Sequence, residues 1–189
     1  KIILLPNGVS NSQTERKVVH EKETSGLNCG YLGSIVHYEG LETLVKAAKE
    51  LQTKGIEGIR FTIVGDGKER PKIEELASEL GVHGLVEIRG NIPNDQVAKF
   101  YEEIDCIVLP RLGYDVCEMV PALKPLEAMS NGKCVISSDI GPARELITDR
   151  EDGLLFKTGD VDSLIEKLVE IRDNPGFMEK MAENGREMS

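Results

Sequence analysis

From about residue 27 onward, short β-branched and apolar runs alternate with stretches of helical period, and that alternation leaves few folds open. The runs are Leu27–Leu32, Ile59–Val64, Leu85–Ile88, Ile104–Leu109, Cys134–Ser137 and Leu154–Phe156. Each is apolar along its length rather than at every second residue, as strands covered on both faces are. Between them, Leu41, Leu44, Val45, Ala48 and Leu51 follow the spacing of one buried helix face. Ile73, Leu76, Ala77 and Leu80 repeat it, as do Val161, Leu164, Ile165 and Leu168. Asp160 stands where the last of these helices needs an N-cap, and Pro175 marks its end. The pattern predicts an α/β domain built on a doubly wound, Rossmann-like parallel sheet.

A chain of 189 residues, 40% of them hydrophobic, can bury one solid core, so a single domain over 1–189 is expected. Asp and Glu outnumber Lys and Arg by 33 to 23, a net charge of −10. That field repels a polyanion, which argues against nucleic acid but leaves open a small anion held by local donors. No apolar run approaches the roughly 18–20 residues needed to span a bilayer, so a membrane is not indicated. Cys29, Cys106, Cys117 and Cys134 form no CxxC pair and no His accompanies them, so no metal site is expected. Three of these lie in strand-like runs, where Cys acts as a small hydrophobe, and a reduced, cytoplasmic setting is expected. Residues 10–24 are polar without period and read as a surface loop. A start without Met suggests a piece of something longer.

In an open parallel sheet, ligands sit beyond the carboxyl ends of the strands near the point where strand order reverses. The residues just after each strand are therefore the informative ones. They include Gly30, Gly33 and HYEG at His37–Gly40, then Gly65 and Gly67 in GDG, Asn91 and Ile92 in GNIP, and the segment Pro110–Pro125. Glycine-rich turns let backbone N–H groups approach phosphate. Neither GxGxxG nor the P-loop pattern occurs. The segment after Pro110 carries Arg111 and Glu118 and enters a helix through VPALKPLEAM, with Pro121 or Pro125 in its first turn. Backbone N–H groups of Val120, Pro121's neighbours Ala122 and Leu123, and the cations Arg111 and Lys124 suit a diphosphate. Glu127 suits the hydroxyls of a ribose. The bland alternative makes Lys124 and Glu127 an exposed i, i+3 pair.

Six blocks, in order, carry a family resemblance: PNGV, GYLGSIVHYEGLETLVKAAKEL, FTIVGDGKER, VEIRGNIPNDQVAKFYEEIDCIVLP, KPLEAMSNGKCVISSDIGPARELI and EDGLLFKTGDVDSL. Together they resemble the C-terminal, nucleotide-sugar-binding domain of retaining glycosyltransferases of the GT-B fold, family 4 type. The resemblance covers nearly the whole chain. It implies transfer of a sugar from a nucleoside diphosphate sugar with retained anomeric configuration, without metal or other cofactor. It implies that the base lies against Gly65, Gly67, Asn91 and Ile92, with Glu127 on the ribose and Val120, Pro121, Ala122 and Leu123 at the diphosphate or sugar. Arg111, Lys124 and Glu118 are the catalytic candidates.

Three departures accompany the resemblance. The family's first Glu would fall at Met119, with Glu118 one place earlier, so either a shifted loop lets Glu118 serve or that role is lost. The usual basic residues after the first strand align with Tyr31 and Glu39, and Arg111 and Lys124 are the substitutes. YEGL together with PALKPLEAM resembles a variant branch. Finally, the N-terminal acceptor domain is expected to be absent from this chain, which would then bind donor weakly and not turn over.

Rival readings are a non-catalytic nucleotide-sugar-binding subunit, a GT-B epimerase or phosphorylase, and a dinucleotide oxidoreductase. The last two lack a suitable lysine segment and a glycine fingerprint. His20 and His83 read as surface residues, and His37, close to the end of the first strand, is a lesser candidate for lining the donor site.

Overall fold

The computed structural model describes residues 26–119 and 123–189. The loop expected at 10–24 and the PNGV segment lie outside the described residues. The strands are β1 (Leu27–Leu32), β2 (Ile59–Val64), β3 (Val86–Arg89), β4 (Cys106–Leu109), β5 (Cys134–Ser138) and β6 (Leu154–Phe156). They form one parallel sheet in the order β3-β2-β1-β4-β5-β6. The helices are α1 (Glu42–Thr53), α2 (Arg70–Glu79), α3 (Asn94–Glu103), α4 (Asp115–Met119), α5 (Lys124–Ser130), α6 (Gly141–Leu146), α7 (Val161–Asp173) and α8 (Pro175–Met188). The chain steps from β1 to β3 in one direction and from β4 to β6 in the other, so that the crossover helices of the two halves cover opposite faces, which is the doubly wound architecture. Among the described residues, no helix is long and apolar enough to cross a membrane.

The inner strands are mostly apolar because both faces are covered, whereas the edge strand β3 exposes Glu87. Cys29, Tyr31, Phe61, Ile63, Cys106, Val108, Cys134 and Ile136 are all buried, joined by Leu44, Ala48 and Leu51 from α1 and Leu164 and Leu168 from α7. Burying a side chain of this size contributes about 1.5–3 kcal/mol, so this sandwich carries the stability of the fold. Asp160 caps α7 as its position predicts, its Oδ1 accepting the Ser163 N–H at 3.0 Å. Pro175 lies beyond the end of α7 and opens the first turn of α8. All four cysteines are buried free thiols.

Two strand starts differ from the sequence pattern. Leu85 closes a turn by donating its N–H to Val82, so β3 begins at Val86, and Ile104 ends α3 ahead of β4. Glu118 also lies on a short helix rather than a loop. The Cys117 and Glu118 N–H groups both reach the Tyr114 carbonyl, and buried Cys117 packs with Ile140 and Ala143 to hold α4 in place.

Candidate functional site at the strand-order reversal

Strand order reverses between β1 and β4, and the loops leaving these two neighbours are stitched together. After β1 the chain makes one turn of 3-10 helix at His37–Glu39 and ends it on Gly40 at φ 68°. A Cβ on Gly40 would lie 2.1 Å from the Pro110 carbonyl oxygen, so only glycine permits this approach of the two loops. The Leu112 N–H donates to the Tyr38 carbonyl at 2.9 Å, and the Ser138 hydroxyl donates to the Arg111 carbonyl at 2.6 Å. These bonds fix where Glu39 meets Arg111.

Glu39 is buried, with 4% of its side chain exposed. Arg111 donates to its Oε1 through Nε at 3.1 Å and Nη2 at 3.0 Å. Lys124 Nζ donates to Oε2 at 2.9 Å and to the Tyr31 hydroxyl at 2.9 Å. The Tyr31 hydroxyl in turn lies 2.8 Å from the Ser34 carbonyl and 3.1 Å from Glu39 Oε2, and its one proton serves these two acceptors. The Lys124 ammonium also sits 4.7 Å from the centre of the Tyr31 ring. Burial alone would raise the Glu39 carboxyl, but Lys124 and Arg111 outweigh it and hold it below the ordinary carboxylate range. Burial draws Lys124 below its usual value despite the pull of Glu39. Burial and the Glu39 charge push the Tyr31 hydroxyl up, so it stays neutral.

Arg111 and Lys124 are thus brought together, as the sequence placed them, but around a carboxylate and a phenol that sequence had assigned only as departures. Lys124 pairs with Glu39 across the sheet edge and not with Glu127 one turn along its helix, which removes the bland reading of that pair. Its neighbour Pro125 occupies the first turn of α5. The Glu127 carboxylate accepts no hydrogen bond among the described residues and belongs to the same turn. Leu123 is half exposed at the start of α5. Val120, Pro121 and Ala122 lie outside the described residues. Beside the network, Leu109, Pro125, Ser137, Ile140, Pro142 and Ala143 line a recess into which Glu39, Arg111 and Lys124 also face.

The remaining candidates lie farther along the same edge or turn from it. Gly65 and Gly67 follow β2 and press on the loop after β1. A Cβ on Gly65 would stand 1.8 Å from the Gly33 carbonyl oxygen, and one on Gly67 2.2 Å from that of Ile35. This close backbone packing, tied by Gly33 N–H to Val64 and Ile35 N–H to Asp66, is itself a reason for glycine there. Asn91 is exposed and Ile92 half-buried in the loop after β3. Glu118 Oε2 accepts the Gly141 N–H at 2.9 Å, capping α6. His37 is exposed and stacks edge-on between Tyr38 and Tyr114, with ring centres 5.2 and 5.1 Å away. His83 lies exposed in a turn, as expected, and His20 is outside the described residues.

Sequence reasoning did not assign Glu39 a role at this edge. The signal available for it was topological: a carboxylate in the loop after β1 becomes a neighbour of the loop after β4 once the order reverses.

Comparison with known proteins agrees with the fold. The profile of the family described as glycosyl transferases group 1 matches residues 12–188. Alpha-D-kanosaminyltransferase of Streptomyces kanamyceticus is 28% identical over 181 residues, covering 92% of this chain and 45% of that protein. The chain therefore spans less than half the length of that relative. Among solved structures, Anabaena Alr3699/HepE in complex with UDP superposes with a TM-score of 0.76 at 17% identity, over 87% of this chain and 44% of that one. The catalytic domain of cholesterol-alpha-glucosyltransferase from Helicobacter pylori gives 0.71 at 21% identity, over 86% of this chain and 96% of that one.

Proposed function

Because the chain belongs to the glycosyl transferases of group 1, we propose that it is the donor domain of a retaining GT-B enzyme and binds a nucleoside diphosphate sugar at the β1–β4 edge. The observation that carries this reading is the meeting of Arg111 and Lys124 on one carboxylate where strand order reverses. Two cations with directed N–H groups suit the two phosphates of such a donor. The Glu127 carboxylate, which accepts no hydrogen bond among the described residues, suits a pair of ribose hydroxyls. The base then lies toward Gly65, Gly67, Asn91 and Ile92. The UDP held by the Anabaena relative supports a nucleoside diphosphate as the ligand class.

In the transfer, the bond from the sugar's anomeric carbon to the β-phosphate oxygen breaks with its electron pair on that oxygen, while an acceptor hydroxyl oxygen bonds to the same carbon and its proton passes to the departing phosphate. Arg111 and Lys124 stabilise the charge that develops there, without requiring a metal. The acceptor is held by a second, N-terminal domain, so this chain alone binds donor but does not turn over. Calorimetric titration with UDP, GDP and ADP tests the reading. One diphosphate binds selectively, and Glu127→Ala weakens it at least tenfold. Failure of all three to bind at millimolar concentration contradicts it.

One observation favours a second reading, a non-catalytic nucleotide-sugar-binding subunit. Glu118 caps α6, leaving the first acidic role of the family without a clear holder. Transfer by the chain joined to an acceptor domain decides between the two.

A further inference from the structure

The Glu39 cluster is a poor device for stability alone. Desolvating one carboxylate and two cations costs several kcal/mol per ion, and packed apolar residues of similar volume often serve a core as well or better. Yet every part of this corner is shaped around the ions. Gly40 lets the two loops close, and the buried Tyr31 spends its hydroxyl on Lys124, Glu39 and the Ser34 carbonyl. Gly33 lacks the side chain that would stand 2.6 Å from Lys124 Nζ. Arg111 and Lys124 keep 14% and 24% of their side chains exposed, so both reach the surface while Glu39 lies beneath them.

We propose that Glu39, assisted by the Tyr31 hydroxyl, is a positioning residue that holds Arg111 and Lys124 together as one preorganised diphosphate clamp. The proposal rests on the donor-site reading above and adds the residue that organises it. The two cations repel each other, and Glu39 is the counter-charge that both share. Glu39 fixes Arg111 through two N–H groups on one oxygen and Lys124 through the other oxygen. The geometry that a phosphate meets is thereby already set. Lys124 gives one proton to Tyr31 and one to Glu39, which leaves its third for a ligand oxygen. Preorganisation of this kind removes the ordering cost from the binding step.

The test is calorimetry on the chain with matched ligands, UDP against UMP, or the guanosine or adenosine pair if that base binds. Glu39→Gln keeps the shape and removes the charge. Glu39→Asp keeps the charge and withdraws it by one methylene. Both lower the preference for diphosphate over monophosphate about tenfold, or about 1.4 kcal/mol, with monophosphate affinity held within twofold. Tyr31→Phe lowers it about threefold and keeps the test open should either Glu39 variant fail to fold. A preference that rises in Glu39→Gln, or is unchanged in Glu39→Asp, makes Glu39 a counter-charge only and overturns the proposal. Equal loss of both ligands makes its role structural and does the same. A wild-type chain that binds no diphosphate fails the donor reading itself and takes the proposal with it. Binding that persists with an unchanged preference in all three variants fails this proposal alone.

Discussion

Replacing Glu39 with Ala takes away the carboxylate that answers both Arg111 and Lys124, and the structure sets the size of the penalty. Glu39 accepts two N–H groups from Arg111 and one from Lys124, at 2.9–3.1 Å. Removing one partner from a fully buried ion pair costs about 3–5 kcal/mol, mostly as the uncompensated charge left behind. Here the two cations are 14% and 24% exposed and can turn partly toward water, so the lower end applies, about 3 kcal/mol. In a chain of this size that lowers Tm by roughly 6–12 °C. The assay is thermal unfolding of a double-mutant cycle with Lys124→Met. If the penalty is an orphaned ammonium, adding Lys124→Met to Glu39→Ala recovers about 1–2 kcal/mol instead of adding a further loss. A Glu39→Ala variant that melts within 2 °C of the parent, at a precision the roughly 3 kcal/mol expectation far exceeds, refutes the reasoning. So does strict additivity in the cycle.

Gly65→Ala drives a Cβ toward the Gly33 carbonyl oxygen and should cost about 2–4 kcal/mol in denaturant unfolding. Gly84→Ala, where nothing stands within 4 Å, should stay within about 0.5 kcal/mol. Asp160→Ala removes the α7 cap and should cost about 1 kcal/mol, with Asp160→Asn recovering most of it. Lys124 sheds its proton below the usual lysine range near pH 10.4, so diphosphate affinity should fall as pH rises toward that value. Lys124→Arg should hold the affinity flat across the same titration. The depressed Glu39 carboxyl works in the opposite direction on stability. Its contribution is full above the unfolded value near pH 4.3 and is lost as pH falls through the lower folded value, which acid unfolding of the parent and Glu39→Gln will compare.

The strands buried on both faces were the easiest elements to read. Leu27–Leu32, Ile59–Val64 and Leu154–Phe156 begin and end where their apolar runs do, because a strand between two helical layers has no polar face to blur its limits. Asp160 was readable for a local reason: an N-cap bonds a backbone group three residues away. The site was readable only in part. Arg111 and Lys124 could be placed at the ligand edge because each follows a strand or opens a helix. Their meeting with Glu39 spans 72 and 85 residues of chain and depends on β1 lying beside β4, which no local pattern reports. Glu118 shows the same limit. Its carboxylate is turned to the first N–H of α6 by the buried contact of Cys117 with Ile140 and Ala143, an arrangement made by tertiary packing. The glycines after β2 were legible as a turn, whereas their contact with the Gly33 and Ile35 carbonyls required the neighbouring loop to be in place.

On the proposed reading, a nucleoside diphosphate lies at the β1–β4 edge on Arg111 and Lys124. Amide chemical-shift mapping of the chain with UDP, GDP and ADP tests it most directly. The account predicts that the diphosphate that binds shifts the amides of Gly33–Glu39, Arg111 and Lys124–Glu127 most strongly, with smaller shifts at Gly65–Gly67 and Asn91–Ile92. Shifts confined to α7 and α8, or a pattern that Lys124→Met leaves unchanged, would contradict it.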